Sequence, residues 1–268
     1  MSHPWRTGTV ESGDESIYYE IVGDDEAPAI MLTHGAGGNH AIWFQQVPAL
    51  AAAGYRVVTW DCRGFGNSSF ESGNHGCDAA VADMVAILDT VGIDRVHLVG
   101  QSMGGWWVNA FALAHADRVI TLTLTNTPGG LWTDEARAAL AKQVRTTGDE
   151  EERIGAHPAL APSFGGRDPA RAFLYQELNT FHTPPMAAVG AALFGESVEH
   201  AALDALGIPI LMITGTDDAL FAPDFIRENA ARIENASFLC IDGAGHSAYF
   251  ERPDEYNAAL LSFWEKRA

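Results

Sequence analysis

The chain has 268 residues, of which 47% are hydrophobic and 19% charged, the balance of a globular protein with room for a substantial core. A formal charge of −19 argues against nucleic acid as a partner, because such a surface repels a phosphate backbone. No run of about 18 apolar residues marks a membrane span, and residues 1–6 lack the basic start and apolar stretch of a secretory leader, so the expected location is the cytoplasm.

Residues 8–22 open the chain with a period of two, Ile17, Tyr19 and Ile21 alternating with Tyr18, Glu20 and Val22, as in an antiparallel strand pair. Short apolar runs then recur at residues 29–33, 56–60, 96–99, 119–124, 210–214 and 236–241, each the length of a buried strand. Residues 78–91, 103–115, 223–234 and 254–265 space their apolar side chains by three or four and read as helices. The alternation predicts an α/β chain with a mostly parallel central sheet flanked by helices. Between about Pro128 and Gly207 the rhythm breaks. No strand pattern is visible there, Thr133-Asp134-Glu135 reads as a helix start, and Pro158, Pro162, Pro169, Pro184 and Pro185 divide the stretch into short pieces. The expected organisation is a core of residues 1–127 and 208–268, with residues 128–207 as a helical cap inserted after the sixth strand.

The chemistry concentrates in four loops. Gly100-Gln101-Ser102-Met103-Gly104 follows a buried strand and opens a helix, the setting in which G-x-S-x-G holds a serine hydroxyl clear of the sheet. A serine hydroxyl is a weak nucleophile and needs a base. His246 lies in the glycine-rich loop Asp242–Ser247 after the last strand, at the same sheet edge. An orienting carboxylate is available in Asp217-Asp218 after the strand at 210–214, and Asp218 is preferred. Asn126, at the other position where an acid could stand, offers no carboxylate. The glycines of His34-Gly35-Ala36-Gly37-Gly38 leave backbone N–H groups free for a developing oxyanion, with Ala36 and Met103 as the expected donors. His34 is expected to brace its loop. Phosphate-binding fingerprints are absent. Cys62, Cys77 and Cys240 form no metal or disulfide pattern, although Cys62 stands in a loop after a strand.

With these segments in place, the chain resembles the α/β-hydrolase fold superfamily over nearly its whole length. Asp61-Cys62-Arg63-Gly64-Phe65-Gly66-Asn67-Ser68 is similar to its D-x-R-G-x-G-x-S turn, and Gly245-His246-Ser247 with Phe250-Glu251-Arg252-Pro253 to its histidine loop and final helix. The resemblance implies a cofactor-free and metal-free serine esterase acting on a small, partly apolar molecule. Ser102, His246 and Asp218 would form its triad, with the amides of Ala36 and Met103 as its oxyanion hole. Trp106, Phe181 and His182 are candidate pocket residues; Phe164, Phe173 and Phe194 are further aromatics of the cap region. Neighbouring activities stay open: C–C bond hydrolysis of a ring-fission diketone, lactone hydrolysis, perhydrolysis, or ligand reception without turnover. C–C hydrolases of this fold usually carry Trp where this chain has Ser247. They would also need a buried cation for a substrate carboxylate, for which Arg153, Arg167 and Arg171 are candidates. A homodimer is compatible with the sequence.

Overall fold

The computed structural model describes residues 3–133, 155–181, 189–190, 193 and 195–265. Its strands are β1 (Trp5–Ser12), β2 (Glu15–Val22), β3 (Ala29–Thr33), β4 (Arg56–Trp60), β5 (Val96–Gln101), β6 (Val119–Thr125), β7 (Ile210–Gly215) and β8 (Ala236–Ile241). They form one sheet in the order β1-β2-β4-β3-β5-β6-β7-β8. β1 pairs with β2 and β2 with β4 antiparallel; from β4 to β8 every pairing is parallel. The central strands are buried on both faces, which is why β3 reads as an almost unbroken apolar run, while β4 and β6 also bury Arg56 and a row of threonines. β1 and β8 are edge strands and remain partly exposed.

The described helices are α1 (Gln46–Ala52), α2 (Cys77–Thr90), α3 (Met103–Ala114), α4 (Phe164–Arg167), α5 (Pro169–Leu178), α6 (His200–Asp204), α7 (Pro223–Ala230), α8 (Ala248–Glu251) and α9 (Pro253–Glu265). Two apolar clusters result, one on each face of the sheet. Met84, Ile87, Trp107 and Phe111 of α2 and α3 belong to the first; Leu50, Tyr256, Leu260 and Trp264 of α1 and α9 belong to the second. α1 escapes a periodicity reading because it has only seven residues, one of them Pro48. α7 ends at Ala230, short of the expected residue 234. Among the described residues no helix is long and apolar enough to cross a membrane.

Strand order matters for the site. The chain runs from β3 to β4 on one side, then crosses to β5 on the other side of β3. Loops leaving the carboxyl ends of β3 and β5 therefore diverge, and a crevice opens between them. The loops after β5, β6, β7 and β8 follow one another along the same edge.

The described part of the insertion after β6 contains no strand. Asp168 caps α5 by accepting from Arg171 N, with Pro169 at the first helical position, where its missing N–H costs nothing. Asp134 and Glu135 of the expected helix start lie outside the described residues. Residues 155–181 lie against the loops of the carboxyl edge: Asn39 Nδ2 donates to Leu178 O at 2.9 Å, Gly66 N to Phe181 O at 2.8 Å, and Ser247 Oγ to Tyr175 OH at 2.7 Å.

Candidate active site

Ser102 caps α3 with φ 49° and ψ −116°. Among the described residues only Ser102 and Asn126 are non-glycine with positive φ. Such a backbone costs about 1–3 kcal/mol and persists only where the surroundings over-determine it. Here Ser102 N donates to Thr125 O at 3.0 Å, and Thr127 Oγ1 donates to Ser102 O at 2.7 Å. The flanking glycines are required by contact. A β-carbon on Gly100 would lie 2.5 Å from Gly104 O, and one on Gly104 would lie 2.6 Å from Thr33 O. Met103 is the first residue of α3, so its N–H has no acceptor within the helix.

The Gly35–Gly38 turn is closed by Gly38 N donating to Gly35 O at 3.1 Å. It sits against the elbow, since a β-carbon on Gly35 would lie 3.0 Å from Ser102 Cβ. Ala36 is exposed at its tip. His34 braces this loop. Its Nε2 accepts from Cys62 N at 3.1 Å, which leaves Nδ1 to donate to Gly35 O at 2.8 Å. Burial lowers its pKa, despite the Asp61 charge and the Gly35 bond acting the other way. The Cys62 thiol beside it is buried, and burial pushes its pKa well up, which favours the thiol over the thiolate. The turn after β4 is scaffolding: Asp61 accepts from His40 N and Asn67 N, and Arg63 grips Asp83 with two bonds of 2.7 Å.

Asp218 and His246 are brought together. His246 Nδ1 lies 3.1 and 3.2 Å from the two carboxylate oxygens, with both side chains buried. Asp218 Oδ1 also accepts from Leu220 N at 2.9 Å and Phe221 N at 3.0 Å. Burial by itself would raise this carboxyl, but His246 and the hydrogen bonds from Phe221 N and Asn126 outweigh it and hold the pKa below the usual carboxylate range. Asp217 is exposed, with its N–H spent on Ala244 O at 2.9 Å.

Two residues that the sequence reading did not select join these parts. Asn126 Nδ2 donates to Asp218 Oδ2 at 2.9 Å and to Gly245 O at 3.1 Å. Gln101, adjacent to Ser102, donates from Nε2 to His246 O at 3.1 Å. The loops after β5, β6, β7 and β8 are thereby tied into one unit. Asn126 carries no charge and no motif, so its one visible signal was its position after β6.

The aromatic surroundings are mixed. The Phe221 ring lies 5.5 Å from His246 and 6.3 Å from Trp106, which is buried and 5.6 Å from Trp132. Phe181 is 58% exposed, and Phe173 also faces solvent. Phe164 packs in the core against Phe250, flanked by Arg167 and Arg171. His182, Phe194 and Arg153 lie outside the described residues. Arg171 bonds Asp168, Gln45 Oε1 and Phe250 O, and Arg167 contacts Gly243 O and Glu251, so both are occupied as structural ties. His157, also not selected from sequence, stacks edge-on against Tyr175, and its Nδ1 accepts from Ala159 N at 3.1 Å. Burial, with His246 nearby acting the same way, pushes its pKa down to about 4. Among the described residues no group of three or more His, Cys, Asp or Glu side chains could hold a metal ion.

Known proteins share this arrangement of elements. A family model described as the alpha/beta hydrolase fold matches residues 28–253. A Mycobacterium tuberculosis protein named "Putative non-heme bromoperoxidase BpoC" is 30% identical over 88% of this chain and 93% of its own length. A Caulobacter segnis protein named "Putative carbamate hydrolase RutD" is 29% identical over 97% of this chain and 98% of its own. The solved structure of a thermophilic esterase from Thermogutta terrifontis superposes with a TM-score of 0.81 at 26% identity, covering 97% of this chain and 98% of the esterase.

Proposed function

The chain belongs to the alpha/beta hydrolase fold family, and from that premise we propose that it is a serine hydrolase cleaving a carboxylic ester through an acyl-enzyme on Ser102. The observation that carries this reading is the strained Ser102 backbone at the sheet edge that also holds the buried Asp218–His246 pair. At φ 49° glycine is the unstrained choice, so a serine there is held against a backbone cost.

The chemistry follows from the groups present. Asp218 accepts from Nδ1–H of His246, which fixes the imidazole tautomer with Nε2 free to take a proton. Ser102 Oγ gives its proton to Nε2 as it attacks the substrate carbonyl. The resulting oxyanion rests on the amides of Ala36 and Met103, each such donor worth about 3–4 kcal/mol in the transition state. Nε2 then protonates the departing alcohol. Water, deprotonated by the same nitrogen, attacks the acyl-enzyme; the bond to Ser102 Oγ breaks, Nε2 returns the proton to that oxygen, and the acid leaves. Leu220 N, Phe221 N and Asn126 keep Asp218 ionised and still through the cycle. Residues 128–207 act as the cap, and the Trp106–Phe221 wall offers the substrate an apolar surface beside His246.

The similarity to a protein named as a bromoperoxidase supports a second use of the same acyl-enzyme, opening by hydrogen peroxide to give a peracid. C–C hydrolysis is less favoured, because Ser247 stands where such hydrolases usually carry Trp, and Arg167 and Arg171 are occupied. A fluorophosphonate probe tests the central claim. It labels wild-type protein at Ser102 and leaves Ser102→Ala unlabelled, and a p-nitrophenyl ester gives a burst of one equivalent. Folded wild-type protein that takes up no label would overturn the proposal.

A further inference from the structure

Glu251 ends α8, five residues after His246, and is buried. The reaction above gives it no role, yet its carboxylate spans two segments distant in sequence. Oε1 accepts from Gly245 N, the residue before His246, at 2.9 Å. Ala161 N, in the inserted segment, donates to Oε1 at 3.2 Å and to Oε2 at 3.1 Å. The two backbones meet around this group: a β-carbon on Gly245 would lie 2.3 Å from Ala161 N. Flanking ties run the same way, from Arg167 to Gly243 O at 3.4 Å and from Ser247 to Tyr175 at 2.7 Å.

We propose that Glu251 is a positioning residue, which holds the loop carrying His246 in register with the inserted segment by accepting from Gly245 N on one oxygen and from Ala161 N on both. The inference rests on the reading of His246 as the base. The charged and titratable groups facing Glu251 are Arg167 on α4, at 3.9 Å, Tyr175 on α5 and Asp217 after β7. Burial raises the Glu251 pKa to about 7, against the two N–H bonds and Arg167, which favour the anion. Proton binding turns one oxygen into a donor. Oε2, which accepts from one N–H where Oε1 accepts from two, is the oxygen that takes the proton, and Ala161 N then keeps only its 3.2 Å contact to Oε1. The register of the histidine loop then loosens as pH falls through neutrality.

The test records the amide shifts of Gly245 and Ala161 in the full chain as pH is varied. In wild type the two move together with one midpoint near 7; in Glu251→Gln both stay flat. With p-nitrophenyl acetate as probe, and active sites counted by burst, Glu251→Gln lowers kcat by about 10- to 100-fold above neutrality with little change in KM, the signature of a displaced catalytic group. Amides that titrate separately or not at all, or a Glu251→Gln kcat profile matching wild type, overturn the proposal. Should the variant fail to fold, the wild-type amide titration still decides. Absent fluorophosphonate labelling of wild type would remove the serine-hydrolase reading alone, since the amide titration does not depend on it.

Discussion

Ser102→Gly is expected to be more stable than Ser102→Ala, although both remove the same hydroxyl. At φ 49° and ψ −116° a side chain with a β-carbon is strained, by about 1–3 kcal/mol. Alanine keeps that strain and glycine releases it. Glycine also gains freedom in the unfolded chain, which takes back about 0.5–1 kcal/mol. The net is about 1 kcal/mol in favour of Ser102→Gly, or about 2–4 °C in melting temperature for a domain near this size. Referring one variant to the other cancels any bond made by the serine hydroxyl. Scanning calorimetry of both proteins at one pH measures the difference. A Ser102→Gly melting temperature at or below that of Ser102→Ala would show that the elbow stores no more strain than the ~0.5–1 kcal/mol that glycine loses through the unfolded chain, and the argument that a serine is held there against backbone strain would fail.

Asp218→Asn lowers kcat by on the order of 10³- to 10⁴-fold through loss of the correct imidazole tautomer. Asp217→Asn, at an exposed position, leaves kcat within about twofold; the reverse order in steady-state assays would move the orienting role to Asp217. Asn126→Ala leaves Asp218 Oδ2 and Gly245 O each one donor short and costs about 1–3 kcal/mol in urea unfolding. Glu15 is buried with Ser69 Oγ, Ser72 Oγ, Ser72 N and Glu71 N donating to it. Burial opposes its charge, but these donors prevail and bring its pKa down to about 2. A lowered folded-state pKa adds stability above the ordinary carboxylate range, lost as pH falls towards about 2. Glu15→Gln therefore destabilises by about 1–3 kcal/mol at neutral pH, and acid titrations of wild type and variant converge near pH 2; curves that run parallel throughout would contradict this.

Much of the molecule was legible because burial writes directly into composition. A strand covered on both faces is mostly apolar, so β3, β4, β5 and β7 stand out as runs even though they also bury Arg56 and His97. The backbone demands of the elbow and of the Gly35–Gly38 turn leave glycine at fixed offsets, and short polar loops directly after strands mark Asp218 and His246. Gln101 and His157 carry no such mark, Asn126 shows only its position after β6, and Glu251 only its place in the motif after His246. Asn126, Gln101 and Glu251 act through partners on other loops, and single amides or carboxylates with such partners leave no period.

The sequence by itself therefore determined the succession of strands and helices, a mostly parallel sheet and the four loops that carry the candidate chemistry, because those follow from apolar runs, glycine spacing and chain order; the order of strands in the sheet came from the fold. Only the tertiary structure decided which carboxylate meets His246. It buries Asp218 against the imidazole, where three further donors converge on it, and turns Asp217 to solvent. Adjacent residues on a turn point in different directions, and that direction is set by the neighbours they pack against.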